Sequence, residues 1–151
     1  MMKTCEALRQ RMFALAGCDW AGEVCVKEGD ELSLSMDGER LTVAAPDVSA
    51  AARGLFLAAC ALRDGKDVPA LHQKRHIASC GMMLDMSRGG VMTVEAVKRM
   101  IDAHAALGLN LMMLYTEDTY TVPEAPYLGY LRGRYTENEL RELDDYAADS
   151  G

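Results

Sequence analysis

Two short constellations carry the candidate chemistry of this chain. Asp85-Met86-Ser87-Arg88 sets a carboxylate three residues before a guanidinium, and Glu117-Asp118 places two carboxylates side by side. Neighbouring acids push their proton affinities apart and so can divide acid and base duties. On the residues alone three readings of Glu117-Asp118 stand open: a catalytic pair, groups that orient a ligand, or anchors of the loop that follows. Asp85 and Arg88 are either ligand groups or an ion pair that pins their own loop. The remaining reactive side chains form no such sets. His72, His76 and His104 are scattered, no His-Glu-x-x-His occurs, and the five cysteines (Cys5, Cys18, Cys25, Cys60, Cys80) contain no C-x-x-C pair. Neither a metal nor a cofactor is therefore expected. Odd in number and widely spaced, the thiols read as buried, reduced small hydrophobes, which favours a cytoplasmic address.

Charge and hydropathy exclude several partners. Against 23 acidic residues the chain has 16 lysines and arginines, a net charge of −7 with no basic block, so neither nucleic acid nor an anionic membrane surface is an expected partner. The longest apolar stretch, Ala50 to Leu62, is interrupted by Arg53 and falls short of the roughly 20 residues of a membrane span. The opening residues carry Glu6 and lack the apolar core and small-residue cleavage site of a secretory signal. Arg132-Gly133-Arg134, near Tyr127, Tyr130 and Tyr135, has the composition of a base-stacking surface. In an acidic chain those arginines read instead as partners of loop acids. Met82, Met83, Met86, Met112 and Met113 read as core packing, and Gly89-Gly90 lacks the Gly-Lys-Ser/Thr ending of a phosphate loop.

The elements that position these residues follow from periodicity. Thr4 is placed to cap a helix with Ala7, Leu8, Met12 and Leu15 on one face, ended by Gly17. Val24–Val26, Glu31–Met36 and Arg40–Ala44 read as short strands, the last two joined as a hairpin at Asp37-Gly38. Asp47 or Ser49 caps a second helix to about Arg63. Residues 66–74 are polar, contain Pro69 and read as a connection. His76–Leu84 and Leu109–Tyr115 are nearly continuous apolar runs, as expected of parallel strands buried on both faces. Between them Thr93 opens a helix with Val94, Val97, Ile101 and Ala105 on one face, and Gly108 stops it; this is a strand-helix-strand crossover. A long loop, Thr116–Tyr135, precedes a last helix opened by the capping box Thr136–Glu139.

The run Arg75-His76-Ile77-Ala78-Ser79-Cys80-Gly81-Met82-Met83-Leu84-Asp85-Met86-Ser87-Arg88 resembles the first barrel strand of glycoside hydrolase family 20, the β-N-acetylhexosaminidases. Thr93–Asp102 and Leu107–Asn110 are similar to the helix that follows in that family. Leu114-Tyr115-Thr116-Glu117-Asp118-Thr119-Tyr120 and Gly129–Thr136 resemble its second strand end and the loop beyond. The resemblance implies an α/β chain in two parts: a small α+β domain of the zincin-like type over 1–70, and over 71–151 the first two βα units of an incomplete (β/α)8 barrel. A whole barrel takes about 250 residues.

The implied activity of the longer enzyme is hydrolysis of terminal β-linked GlcNAc or GalNAc by a retaining, substrate-assisted mechanism, with an Asp-Glu pair located beyond Gly151. Asp85, Arg88, Glu117 and Asp118 become substrate-binding rather than catalytic residues. Cys80 stands where many members carry a sugar-binding arginine, leaving Arg75, Arg132 or Arg134 to replace it. Three expectations follow: the chain is a truncated, inactive portion of such an enzyme, its partners are β-linked N-acetylhexosamine glycans, and its two incomplete-barrel strands drive homo-oligomerisation. The alternative is a non-catalytic binding or assembly module of the same fold.

Overall fold

Apolar residues at every second position of three short strands dictate a sheet with one covered face, and that is what forms. The computed structural model describes residues 2–151, with side chains from Glu6 onward; the expected cap at Thr4 and the thiol of Cys5 lie outside the described side chains. Helix α1 (Met2–Ala16) is followed by β1 (Glu23–Glu28), β2 (Leu32–Asp37), β3 (Arg40–Ala45) and α2 (Val48–Arg63). Strand β4 (Leu71–Gln73) completes a mixed sheet of order β1-β3-β2-β4, in which β1 runs parallel to β3 and the other pairs are antiparallel. Leu32, Leu34, Leu41 and Val43 line one face with Val24 and Val26, packed against Leu8, Met12 and Phe13 of α1 and Ala51, Leu55 and Ala58 of α2.

The hairpin register pairs Asp37 with Arg40, so its two loop residues are Gly38 and Glu39. Gly38 has φ of 56°, the requirement of a turn with glycine first. Asp47 caps α2 by accepting from the Ala50 amide at 2.8 Å. Midway along α2, Gly54 lets helix and sheet approach: a Cβ there would stand 2.7 Å from Leu32 Cδ1 and 2.9 Å from Val43 Cγ1. Gly54→Val is expected to lower unfolding free energy by about 1–3 kcal/mol through overpacking, read as a lower midpoint in urea.

The second part begins with β5 (Gly81–Asp85), then α3 (Val94–Leu107), β6 (Leu111–Tyr115) and α4 (Glu137–Ala148). Strands β5 and β6 pair in parallel, Gly81 with Leu111 through Asp85 with Tyr115. Thr93 caps α3, Gly108 ends it at φ of 77°, and Thr136 with Glu139 forms the capping box of α4. Helices α3 and α4 cover one face of the pair, where Met86, Val97, Ile101, Tyr135 and Leu143 are buried with Leu84, Met112 and Leu114 against them. The parts meet where Ala105 and Ala106 of α3 join the first core. They meet again where Asp102 of α3 takes a hydrogen bond from Tyr146 Oη at 2.8 Å and an ion-pair contact from Arg11 of α1 at 3.4 Å. Burial raises the Asp102 pKa above the ordinary aspartate value, while both partners pull it back.

Several expectations need correction. The strands expected at His76–Leu84 and Leu109–Tyr115 are shorter, and neither is buried on both faces, because helices cover only one. Met83 and Met113 lie on the open face and are consequently exposed rather than packed in a core; Met82 has the parity of the covered face but is exposed too, whereas Met86 is buried. The stretch 66–74 is not purely a connection: Leu71–Gln73 pairs with Leu32–Leu34. Three residues are too few to show a period. Among the thiols Cys18 is buried and Cys25 and Cys60 are half-buried, but Cys80 is exposed, since it precedes β5 instead of lying inside it.

Candidate functional site

Because β5 and β6 are parallel, their carboxyl ends emerge together, and the loops 86–93 and 116–136 leave from the same side. Open parallel sheets bind ligands at that end, where strand-terminal residues are rigidly held and loops are free to vary. The pairing sets Asp85 opposite Tyr115. Tyr115 Oη donates to Glu117 Oε1 at 3.0 Å, which raises the phenol pKa, Glu117 contributing most and the Asp85 charge adding to it. Asp85 Oδ1 accepts from Ser87 Oγ at 2.6 Å and from the Ser87 amide at 2.9 Å. Those bonds, side chain first, hold its carboxyl below the ordinary aspartate value, and Arg88 contributes only through its charge. Arg88 and Asp85 are thus neighbours, but the partner that fixes Asp85 is Ser87.

A carboxyl stabilised in its ionised form is an acceptor, not a proton donor. For the Asp85 contribution, a folded-state pKa below the unfolded one means stability present at neutral pH and lost as pH falls through the lowered value. In a carbon-detected NMR titration the Asp85 midpoint is expected below that of a free aspartate, and Ser87→Ala is expected to move it up.

Asp118 belongs to the same end through Arg132. The Arg132 Nη1 lies 3.3 Å from Asp118 Oδ1, donates to the Ser87 carbonyl, and reaches the Arg88 carbonyl at 3.2 Å. One guanidinium from the long loop therefore spans both strand exits. Asp118 Oδ1 is shut off from solvent and accepts no well-aligned hydrogen bond, so its tie to Arg132 is purely one of charge. Of the arginines considered for sugar binding, Arg75 is committed to Asp47 at 2.5 and 3.1 Å. Arg134 donates to the carbonyls of Pro126 at 3.3 Å and Leu128 at 2.6 Å. Of these three replacement candidates, Arg132 is the one beside Arg88 at the strand ends.

Backbone strain marks the same place. Among the described residues two non-glycine residues have left-handed backbones, Glu117 at φ of 48° and Leu131 at 67°. Each costs about 1–2 kcal/mol, and such strain concentrates where function requires a fixed direction. Sequence reasoning missed Tyr115 and Ser87 as positioning groups. The signal available was the alternation that puts Tyr115 on the face of Asp85. Among the described residues no cluster of three or more His, Cys, Asp or Glu is placed to hold a metal. A cavity of about 400 Å³ is lined by Leu8, Val26, Pro46 and Val48 among others, none of them part of the strand-end cluster.

Among solved structures, the fold matches a glycoside hydrolase family 20 β-N-acetylglucosaminidase with a TM-score of 0.74 and 25% identity, over 99% of this chain and 35% of that one. It matches the Flavobacterium johnsoniae chitobiase with a TM-score of 0.70 and 21% identity, over 95% of this chain and 27% of that one. A third match is the family 20 exo-β-N-acetylglucosaminidase from Vibrio harveyi in complex with N-acetylglucosamine, with a TM-score of 0.70 and 18% identity, over 98% of this chain and 30% of that one. The likeness to family 20 read from the motifs therefore extends through nearly the whole chain, which spans about a third of the length of these structures. No family model matches the sequence, and no curated protein matches it.

Proposed function

We propose that this chain is the N-terminal portion of a cytoplasmic exo-β-N-acetylhexosaminidase. Its small zincin-like domain would take the first sheet, which includes β4 (Leu71–Gln73) and so runs past the boundary expected at residue 70, and the first two βα units of its (β/α)8 barrel would follow from β5. The observation that carries the reading is the coincidence of a family 20 fold over 99% of the chain with an acid-lined cluster at the carboxyl ends of β5 and β6. In this reading Asp85, Glu117 and Asp118 accept hydrogen bonds from the hydroxyls of a terminal β-linked GlcNAc or GalNAc, and Arg88 donates to them; charged partners make these bonds stronger than neutral ones. In the substrate-assisted mechanism the sugar's own acetamide oxygen attacks the anomeric carbon, one carboxylate steadies the resulting oxazolinium, and a protonated carboxyl gives its proton to the leaving oxygen. The proton donor needs a raised pKa. Asp85 is held the other way by Ser87, which suits it to recognition; the resemblance to family 20 implies that the donor belongs to an Asp-Glu pair in a later part of the barrel.

The chain alone is accordingly expected to release no chromophore from aryl β-N-acetylglucosaminides. Reproducible turnover that disappears in Glu117→Gln or Asp118→Asn would overturn the assignment and make those residues the catalysts. In a polypeptide that carries the whole barrel, Asp118→Ala is expected to lower kcat/KM by about 10- to 100-fold, the loss of one or two charge-assisted hydrogen bonds, with little change in Tm. Equal losses of activity and stability would assign Asp118 to anchoring the loop. The second reading, a binding or assembly module, is favoured by one observation: Met83, Leu111 and Met113 form an uncovered apolar face on the two-stranded sheet.

A further inference from the structure

We infer that Tyr127, Tyr130 and Leu131 form a second carbohydrate-contact surface, which takes the sugar ring next in line after the one held at Asp118. This rests on the function proposed above and extends it to a longer glycan. Tyr130 and Leu131 lie between two residues that both touch Asp118. On one side Gly129, at φ of 62°, packs so tightly that a Cβ would collide with the Asp118 carbonyl oxygen. On the other, Arg132 contacts the Asp118 carboxylate and the carbonyls of Ser87 and Arg88. The two residues between these anchors are thereby set beside the acid cluster.

All three side chains face solvent: Tyr127 is 83% exposed, Tyr130 63% and Leu131 90%. The tyrosine rings meet edge to face, centroids 6.2 Å apart, so each keeps a free face. Their loop is fixed beforehand. Arg134 bonds the carbonyls of Pro126 and Leu128, the Tyr130 amide bonds the Tyr127 carbonyl at 3.1 Å, and Leu131 is held in a backbone conformation that leucine rarely adopts. A prepared loop binds without a large ordering penalty.

The chemistry of the surface selects its occupant. Two phenol rings and one leucine are far smaller than the roughly 800 Å² per partner of a stable protein interface. They match the apolar C–H face of a pyranose, whose hydroxyl edges then meet Asp118, Glu117 and Arg132.

The test compares methyl β-N-acetylglucosaminide with methyl β-chitobioside, titrated into the isotope-labelled chain and read by amide shifts. The disaccharide is expected to bind about five-fold tighter, the scale of a single aromatic contact. That advantage is expected to vanish in Tyr130→Ala and Tyr127→Ala and to survive in Tyr130→Phe, while monosaccharide binding is unchanged in all three. Equal affinities in the unaltered chain, or an advantage that persists in both alanine variants, would overturn the tyrosine surface and leave monosaccharide recognition at Asp118 standing. Absence of binding by either sugar would overturn both. Shifts at Tyr127 and Tyr130 that follow chain concentration rather than sugar would assign the surface to self-association instead.

Discussion

At micromolar concentration the chain is expected to sediment as a homo-oligomer, and the double substitution Met83→Asp, Met113→Asp is expected to return it to a monomer. The register of β5 and β6 sets Gly81, Met83 and Asp85 of one strand beside Leu111, Met113 and Tyr115 of the other on the face that α3 and α4 leave open. Met83 is 58% exposed and Met113 52%. Both strands also keep an unpaired edge, which invites pairing with another copy. Several hundred Å² of apolar surface at about 25 cal/mol per Å² amounts to on the order of 10 kcal/mol, comparable to the whole stability of a domain. We propose that a second copy covers this face, since each copy supplies an identical apolar surface and identical free edges. Sedimentation as a compact monomer with no uptake of a hydrophobic dye would contradict the proposal.

Tyr135→Ala is expected to be among the most destabilising single changes in the second part, by about 3–5 kcal/mol. Tyr135 is 3% exposed and closes the long loop: its amide donates to the Thr119 carbonyl at 3.0 Å, and its carbonyl accepts from the Thr121 amide at 2.8 Å. Its hydroxyl donates to the Met92 carbonyl at 2.5 Å and lies 3.0 Å from the Met86 sulfur. Burial raises the phenol pKa, so the group is a neutral donor at neutral pH. Tyr135→Phe keeps the packing and strands the Met92 carbonyl, so its loss is expected to be smaller, about 1–3 kcal/mol. Chemical denaturation of both variants separates the ring from its hydroxyl. Equal losses would mean that the hydrogen bond, and not the buried ring, secures the loop.

Local signals in the sequence were sufficient wherever the structure depends on neighbours in the chain. Thr93, Gly108 and the Thr136–Glu139 box mark helix ends because capping is a three-residue problem, and the hairpin at Asp37-Gly38 is marked by turn chemistry. Strand β4 escaped notice because it is held by Leu32–Leu34, some forty residues away, and its own three residues carry no pattern. The apolar runs around Met82 and Met112 gave the right element and the wrong burial, since hydrophobicity records that a surface needs cover and not whether these residues supply it. The acids at 85, 117 and 118 were singled out from motif and spacing, and the structure sets them at the carboxyl ends of β5 and β6. Arg132 was readable as a partner of a loop acid, though not of which one, whereas Ser87 and Tyr115 became visible only once β5 and β6 were set in register.

Titration of the isotope-labelled chain with N-acetylglucosamine tests most directly whether the carboxyl ends of β5 and β6 recognise a terminal N-acetylhexosamine. At so exposed a cluster, affinity is expected in the millimolar range, about 4 kcal/mol of binding free energy. The expected result is a set of shifts at the amides of Asp85, Ser87, Arg88 and Tyr115 to Asp118, weaker with glucose, and abolished in Asp118→Ala while the rest of the spectrum stays folded. Unperturbed amides at those positions up to saturating sugar, or the same shifts in Asp118→Ala, would contradict it.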